Sequence, residues 1–150
     1  MTDVRTVSRH DADAWLKLRR ELWPDESARD HELAVREYFT GPRGVPREVL
    51  VAVDLDGNVV GFAELSIRNV VDNCTTDRVA YLEGWCVAPT SRRRGIGRVL
   101  IEEAERWAVR QGCTEFGSDT NLDNPAAAAA HRALGFIESG QVRNFRKDIG

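Results

Sequence analysis

One segment constrains the fold of this chain more than any other. An apolar, strand-like stretch at Val79–Val87 is followed by a basic loop with glycines at residues 92–97, and then by a long amphipathic helix. The helix is predicted because apolar residues recur at helical spacing between residues 96 and 108. A strand that leads through glycines directly into a helix is typical of sheets with helices on their faces. We therefore predict an α/β protein.

The remaining patterns extend this architecture to the whole chain. Strands are predicted at residues 4–7, 49–53, 59–67, 79–87, 115–120 and within 136–147. Helices are predicted from Asp11 or Asp13 to Pro24, at 28–39, from 96 to Gly112 and at 125–134, with loops at Gly41-Pro42-Arg43-Gly44 and Asp56-Gly57. The order βααβββαβαβ, with one or two strands at the end, indicates a mixed, mostly antiparallel sheet flanked by helices. Residues 1–150 are predicted to form one domain.

Composition excludes several classes of function. Lys plus Arg number 21 and Asp plus Glu 24, which gives a net charge of −3 and disfavours broad binding to nucleic acid. No apolar stretch approaches the roughly 20 residues that span a bilayer, and the first residues lack the apolar core of a secretory signal. The cysteines and histidines lack the short spacing of metal ligands, so we expect no metal site; they are Cys74, Cys86, Cys113, His10, His31 and His131. Because the three cysteines cannot all pair with one another, we expect a reducing, cytoplasmic location.

The glycine loop has the chemistry of a phosphate site. Gly95 and Gly97 leave room for backbone N–H groups to point into a small concavity, and the following helix adds partial positive charge at its N-terminus. The loop has neither the Gly-x-Gly-x-x-Gly pattern nor the Gly-Lys-Ser/Thr pattern of the best-known phosphate loops. From the residues alone, a phosphate or pyrophosphate site and an ordinary solvated loop both stay open.

A resemblance to a known family makes the first interpretation specific. The loop Arg92-Arg93-Arg94-Gly95-Ile96-Gly97 resembles the Q/R-x-x-G-x-G/A loop of the GCN5-related N-acetyltransferase superfamily, which holds the pyrophosphate of acetyl-coenzyme A. A second block is similar to that superfamily's N-x-x-A-x-x-x-Y-x-x-x-G-F motif; it consists of Asn124, Ala127, His131, Gly135 and Phe136. The resemblance implies contacts to acetyl-coenzyme A from Cys86, Val87, Arg92, Arg93, Arg94, Gly95, Ile96, Gly97, Asn124 and His131.

The second block departs from the superfamily at one position. His131 stands where the superfamily usually has Tyr, the residue often assigned as general acid to the departing thiolate. That role is therefore not carried over to His131, which we interpret as a structural or coenzyme-contacting residue, with the acid role left open.

Further segments resemble one branch of the superfamily, the aminoglycoside 6′-N-acetyltransferases of the chromosomal type. They are Leu22-Trp23-Pro24, Gly61-Phe62-Ala63-Glu64, Ser66-Ile67-Arg68, Leu82-Glu83-Gly84 and Ser118-Asp119-Thr120. This resemblance implies transfer of acetyl from acetyl-coenzyme A to the 6′-amine of an aminoglycoside antibiotic. It also implies a homodimer through the C-terminal strands.

Such a polycationic substrate requires carboxylates, because an ammonium group must be attracted and then deprotonated before its nitrogen can attack a thioester. Glu83 lies late in the predicted strand 79–87, and Asp119 lies near the end of the next predicted strand. The resemblance implies that these strands diverge beside the acetyl group, so one carboxylate could relay the proton while the other binds ammonium groups. The alternatives are a rim charge for Glu83 and a cap for Asp119. Trp23 is either a wall for a sugar ring or a buried staple, and Asp123 is expected to add negative potential.

The thioester carbonyl requires a hydrogen-bond donor as negative charge develops on its oxygen. The resemblance implies a backbone N–H from the bulged strand at Cys86, Val87 or Ala88. Cys86 is interpreted as a small core residue, and direct attack by the amine requires no acyl-enzyme. Two alternatives are acetylation of another amine (a polyamine, an amino acid or a protein N-terminus) and a module that binds acyl-coenzyme A without catalysis.

Overall fold

The computed structural model describes residues 2–41 and 48–150. The strands are β1 (Asp3–Thr6), β2 (Glu48–Val53), β3 (Val59–Arg68), β4 (Val79–Val87) and β5 (Phe116–Ser118), and the helices are α1 (Ala12–Leu22), α2 (Ala28–Thr40), α3 (Ile96–Arg110) and α4 (Pro125–Ala133). Short 3₁₀ turns at Arg9–Asp11 and Pro89–Ser91 precede α1 and α3. The structure confirms the predicted helices and the first five strands, while residues 42–44 of the predicted loop lie outside the described residues.

The sheet has the strand order β1-β2-β3-β4-β5. The first four strands are antiparallel neighbours, and β5 is parallel to β4. The β2–β3 hairpin turns at Gly57, which has φ +84°. Asp54 supports that turn because its carboxylate accepts from the backbone N–H groups of Asp56 and Asn58 at 3.0 and 2.9 Å.

Helices cover both faces of the sheet, as neighbouring residues of β3 show. A Cβ built on Gly61 would lie 3.1 Å from the Leu100 side chain of α3. The next residue, Phe62, is fully buried in a cluster with Trp15 and Leu18 of α1. Since successive side chains of a strand point to opposite faces, α3 lies on one face and α1 on the other.

The central strands separate on one side before β4 ends. The β4–β5 ladder contains only Ala80 to Leu82 opposite Phe116 to Ser118. On the other side, β4 stays paired with β3 as far as Val87. The described residues of β4 after Leu82 therefore have no ladder partner on the β5 side.

A β-bulge lies at the same point of β4. Glu64 of β3 pairs with Gly84 and Leu65 pairs with Leu82, so Glu83 is the extra residue. A bulge bends a strand and redirects its side chains. The bulge lies three residues before Cys86, in the strand for which the resemblance implied one.

Residue contacts divide the chain into two compact units, Met1–Asp119 and Thr120–Gly150. The second unit contains α4, whose first turn is capped by the Asn124 side chain accepting from the Ala127 N–H at 3.1 Å. Gly135 has φ +93° and follows the end of this helix, as a left-handed C-terminal residue does.

The strand predicted within residues 136–147 is wrong for the described chain, because residues 136–150 contain no strand. Strand patterns there include Ile137 and Phe145, whose side chains are 89% and 91% exposed. A strand requires a neighbour for its backbone hydrogen bonds, and the second unit contains no other strand.

Candidate active site

The loop between β4 and α3 has the backbone of an anion site. Arg93 has φ +65°, and Gly95 has φ +78° at the N-cap of α3. Residues in the left-handed region turn consecutive N–H groups toward one side, which is the geometry of an anion-binding nest. A Cβ on Gly95 would meet nothing within 4 Å, so its backbone faces open space. The loop and the helix N-terminus together fit a pyrophosphate group.

Contacts on the protein side hold this loop in place. The Arg92 Nε donates to the Val87 carbonyl at 3.0 Å, while Ile96 is buried as the first residue of α3. A Cβ on Gly97 would lie 3.0 Å from Trp85, so this glycine permits a close approach of α3 to β4. Arg93 and Arg94 are exposed, and their charges are available to an anion.

Cys86 lies just before the loop with its side chain turned into the protein. It is 7% exposed and belongs to the apolar cluster on the α1 face. Burial raises the pKa of this thiol, although the nearby Arg92 opposes the shift. A buried thiol with a raised pKa is a poor nucleophile, in agreement with the interpretation of Cys86 as a core residue.

Glu83, the bulge residue of β4, is held by two side chains of β3. Arg68 donates from Nε to Oε2 at 2.9 Å and from Nη2 to Oε1 at 2.6 Å, which makes a bidentate pair. The Ser66 hydroxyl also donates to Oε2. The pair raises the pKa of Arg68, mainly through the hydrogen bond to Glu83. The charge of Glu83 is therefore balanced by that of Arg68.

Asp119 belongs to the same cluster through a tyrosine. The Tyr81 hydroxyl donates to the Asp119 carboxylate, and the Arg68 guanidinium lies 3.6 Å from the centre of the Tyr81 ring. Burial, followed by the hydrogen bond to Asp119, raises the pKa of Tyr81 well above its usual value. Tyr81 therefore stays a protonated donor at neutral pH. The structure thus connects both predicted carboxylates, Glu83 and Asp119, through Arg68 and Tyr81.

Sequence reasoning missed Ser66, Arg68 and Tyr81 as members of this cluster. One signal was available, because Ser66 and Arg68 are polar residues spaced two apart at the end of an apolar strand. The signal was incomplete, since the partner of each residue depends on the register of β3 against β4 and on the bulge at Glu83.

Trp23 follows α1 and packs over the bulge. Its ring lies 6.4 Å from the ring of Phe62, and a Cβ on Gly84 would lie 2.8 Å from its Cζ2. The Arg19 guanidinium covers the ring at 4.8 Å from its centre. Trp23 is half-buried, which confirms that it is a staple between α1 and the sheet. Its role as a wall for a sugar ring stays a prediction.

In the second unit, the predicted residues lie on and before α4. Asn124 is the N-cap of that helix, which confirms the capping half of its predicted role. His131 Nδ1 donates to the Ala127 carbonyl at 2.7 Å, and its ring lies 5.2 Å from that of Phe136. Asp123 is exposed. Contacts of Asn124 and His131 with a coenzyme stay predictions.

The described chain has neither a metal cluster nor a helix suited to a bilayer. Within residues 2–41 and 48–150, no three histidine, cysteine, aspartate or glutamate side chains come together as a metal site requires. None of the helices in those ranges combines the length and the apolar character needed to cross a bilayer.

The arginine–glycine loop, the strands that separate beside it and the helix that follows define a class of protein. The model of the acetyltransferase (GNAT) family matches residues 13–136, and the chain belongs to that family.

Particular relatives are similar over nearly the whole length. Aminoglycoside N(6')-acetyltransferase type 1 of Klebsiella aerogenes is 49% identical over 97% of this chain and 96% of its own. The protein of the same name from Serratia marcescens is 41% identical, with coverage of 92% and 93%. The crystal structure of the 6'-N-acetyltransferase AAC(6')-Ih from Acinetobacter baumannii has a TM-score of 0.90 at 38% identity and covers 100% of both chains.

A further solved structure contains a ligand. AAC(6')-Iy in complex with the bisubstrate analogue CoA-S-monomethyl-acetylneamine has a TM-score of 0.89 and 33% identity, with 99% of each chain covered.

Proposed function

We propose that this protein transfers acetyl from acetyl-coenzyme A to the 6′-amine of aminoglycoside antibiotics, and that it thereby confers resistance. The observation that carries the proposal is the pair of carboxylates, Glu83 and Asp119, joined through Arg68 and Tyr81 where β4 and β5 separate. Such a site attracts a polycation and can accept its proton. The relatives named for this reaction match the chain from end to end.

The loop at residues 92–97 supports a role in holding acetyl-coenzyme A. Its open N–H groups and exposed arginines suit the pyrophosphate. The free edge of β4 at Val87 can donate a backbone hydrogen bond to the pantetheine arm or to the thioester oxygen. The Ala88 N–H donates to the Val60 carbonyl of β3, and the Cys86 N–H points the same way because backbone groups alternate along a strand, so neither supports this role. For Asn124 and His131, the support is the sequence motif alone.

We assign different roles to the two carboxylates. Protonation of Glu83 would leave the charge of Arg68 without its counter-charge, so Glu83 is not suited to accepting the substrate proton. Its remaining lone pairs can accept a hydrogen bond from a substrate ammonium group, while Asp119 supplies the uncompensated negative charge. Asp119 is exposed to solvent and accepts from the neutral Tyr81 hydroxyl. Asp119 therefore relays the proton, either directly or through water. Trp23, which packs beside Gly84, supplies an apolar wall for a sugar ring. For Asp123 as a further negative charge, the support is the sequence alone.

The amine attacks the thioester carbonyl directly. Asp119 first relays the ammonium proton to solvent. The neutral amine then forms the new C–N bond, the C–S bond breaks, and the second proton on nitrogen passes through Asp119 to solvent while coenzyme A leaves as the thiolate. The buried Cys86 thiol, with its raised pKa, supports a route without an acyl-enzyme. Mass spectrometry of the protein incubated with acetyl-coenzyme A alone should detect no added acetyl group. Acetylated Cys86 would contradict direct attack.

Residues 1–150 act as one catalytic domain, and two copies form a homodimer through the C-terminal segment. The support is the group of exposed apolar side chains there: Ile137, Val142, Phe145 and Ile149. We place the protein in the cytoplasm, where acetyl-coenzyme A is available and free cysteines persist. Light scattering that finds a monomer would contradict the homodimer.

The substrate is tested by release of coenzyme A thiol with matched amines. We expect turnover with aminoglycosides that carry a 6′-amine, and none with those that carry a 6′-hydroxyl or with spermidine. Protection of a bacterial host against both kinds of aminoglycoside would show that the enzyme acetylates a position other than the 6′-amine. Turnover with spermidine at equal efficiency would favour acetylation of other cationic amines, which the same carboxylates also suit.

The roles of the carboxylates are tested by amide variants. Asp119→Asn should lower kcat about a hundredfold, the scale of a lost proton relay. Glu83→Gln should mainly raise KM for the aminoglycoside. Unchanged turnover in both variants would refute the assignment.

A further inference from the structure

The core beneath Trp23 contains three polar side chains that acetyl transfer does not use. Arg19 is 5% exposed, His31 is 1% exposed and Glu64 is 2% exposed. A buried ion pair is weak evidence for stability, because removing both charges from water costs about as much as their attraction returns. The presence of this cluster in the core therefore calls for an explanation other than stability.

Hydrogen bonds order the three side chains into one network. The Arg19 Nη1 donates to Glu64 Oε1, and Arg19 Nε donates to His31 Nδ1 at 3.3 Å. Because Nδ1 accepts, the ring proton of His31 lies on Nε2, which donates to the Trp23 carbonyl at 3.0 Å. The Glu26 carboxylate lies 3.6 Å from Arg19 Nη2. The guanidinium is therefore fixed from β3, from α2 and from the segment between α1 and α2.

This network contacts Trp23 at both its backbone and its ring. His31 holds the carbonyl, while the Arg19 guanidinium lies 4.8 Å from the ring centre. Gly84 borders the ring as well, where a Cβ would lie 2.8 Å from Cζ2. Gly84 pairs with Glu64 in the ladder and directly follows Glu83. The indole is thus fixed next to the carboxylate that binds the substrate ammonium group.

We propose that Arg19, Glu64 and His31 are positioning residues that fix the Trp23 indole against Gly84 and so set the affinity for the aminoglycoside. The inference rests on the proposed function, because it assigns Trp23 to the substrate site. None of the three residues contacts the substrate itself.

Ionisation gives the network a signature that a purely structural role lacks. Burial raises the pKa of Glu64 to about 7, although the charge of Arg19 lowers it in part. The charged or titratable groups that face Glu64 are Arg19 from α1, His31 from α2 and Glu26 from the segment between them. Its ladder partners on β2 and β4, Val49 and Gly84, carry no charge. Protonation of Glu64 therefore weakens its bond with Arg19 within the neutral pH range.

The kinetic test is a double-mutant cycle between Glu64 and Trp23. Glu64→Gln should raise KM for the aminoglycoside about tenfold, with KM for acetyl-coenzyme A unchanged and kcat within about twofold. In a Trp23→Ala background, the same substitution should have no further effect on KM. Asp11→Asn is the matched control, because it also neutralises a buried carboxylate paired with an arginine but lies away from Trp23. Equal effects of Glu64→Gln in both backgrounds, or a tenfold KM effect of Asp11→Asn, would overturn the proposal.

A second measurement requires neither turnover nor a stable variant at position 64. In the wild-type protein, the indole N–H resonance of Trp23, assigned with Trp23→Phe, should shift with a midpoint near pH 7. A resonance unchanged between pH 5 and 9 would overturn the coupling of Glu64 ionisation to the Trp23 indole, whatever the substrate. Absence of wild-type turnover with aminoglycosides, together with a shifting resonance, would instead reject the proposed function and retain the network.

Discussion

Two arginine–carboxylate pairs lie at opposite ends of α1, and the pKa values of their carboxyl groups are shifted in opposite directions. At the start of the helix, Arg5 holds the pKa of Asp11 down at about 2. At its end, Glu64 also bonds an arginine, Arg19, yet burial raises the pKa of Glu64 to about 7. The type of partner therefore does not decide the outcome.

The number of donors around each carboxylate explains the difference. Asp11 accepts two bonds from Arg5, at 2.7 and 3.0 Å, and further bonds from the N–H and hydroxyl of Ser8 at 2.8 and 3.0 Å. Glu64 has one oxygen on Arg19, and its buried Oε2 has no hydrogen-bond partner in the described chain. The indole of Trp15 helps to lower the pKa of Glu64, but its N–H makes no hydrogen bond of normal geometry. A charge that burial leaves incompletely bonded is disfavoured.

The largest effect is expected when Arg19 is removed. Arg19→Met should destabilise the protein by about 3–5 kcal/mol at pH 8, since Glu64 is then buried as an unpaired charge. The loss should be smaller at pH 5.5, where Glu64 is protonated in the wild-type protein and also in the variant, whose Glu64 pKa is higher still without Arg19. Urea unfolding at both pH values measures the difference.

Proton linkage decides how the stability of the wild-type protein changes with pH through Glu64. The folded state binds the Glu64 proton more tightly than the unfolded chain does, because the pKa rises from 4.5 to about 7. Stability from this group is present below pH 4.5 and is lost as the pH rises toward 7. Equal losses for Arg19→Met at pH 5.5 and pH 8 would show that Glu64 does not titrate in this range.

A substitution on the opposite side of Trp23 separates packing from ionisation. In Gly84→Ala, the new Cβ would overlap Cη2 of the Trp23 ring and lie 2.8 Å from Cζ2, so the ring or the bulge must move. We expect a loss of about 1–3 kcal/mol from overpacking, together with a higher KM for the aminoglycoside. Unlike the effect of Arg19→Met, this loss should be the same at pH 5.5 and pH 8. The free energy of unfolding and KM at both pH values provide the check.

The sequence predicted the elements whose signals are local. The alternation in β4, the glycines after it and the helical spacing in α3 lie within about thirty residues, and each was located correctly. The network around Trp23 depends instead on contacts between distant parts of the chain. Arg19 and Glu64 are separated by 45 positions, and the sequence does not reveal that they meet.

Contacts between distant parts of the chain were also missing from the site prediction and from the prediction of the last strand. Glu83 and Asp119 were selected by residue type and family resemblance, but Arg68 and Tyr81 join them only through the register of β3, β4 and β5. The strand predicted within residues 136–147 has apolar residues at suitable positions, yet pattern alone does not supply the neighbouring strand that a ladder requires.

At the start of α1, the stability that the Asp11 carboxylate contributes should change with pH in the direction opposite to that of Glu64. Asp11→Asn should cost about 1–2 kcal/mol at pH 7, because the pKa of Asp11 falls from 3.8 to about 2 on folding and Arg5 is half-exposed. Stability from this group is present above pH 3.8 and is lost as the pH falls through about 2. The difference in free energy of unfolding between variant and wild type should therefore shrink toward pH 2. A difference that persists unchanged at pH 2 would mean that Asp11 acts through packing.

The smallest effect tests whether donors other than arginine suffice to lower a carboxyl pKa. Glu115 precedes β5, and hydrogen bonds from Thr75 and Thr76 lower its pKa to about 2, the Thr76 side chain having the largest effect. The Thr76 N–H and hydroxyl donate to Oε1, and the Thr75 N–H donates at 3.0 Å.

In Thr76→Ala, the Glu115 carboxyl should therefore titrate at a higher pH, as measured by its ¹³C resonance. The control Thr40→Ala removes a hydroxyl that bonds only within α2, at the Arg36 carbonyl, and should leave that titration unchanged. If the pKa of Glu115 in the wild-type protein were the ordinary value of a glutamate, N–H and O–H donors without an arginine would not be enough to lower a carboxyl pKa. The contrast between Asp11 and Glu64 would then depend on how far Arg5 and Arg19 are exposed to water rather than on the number of donors around each carboxylate.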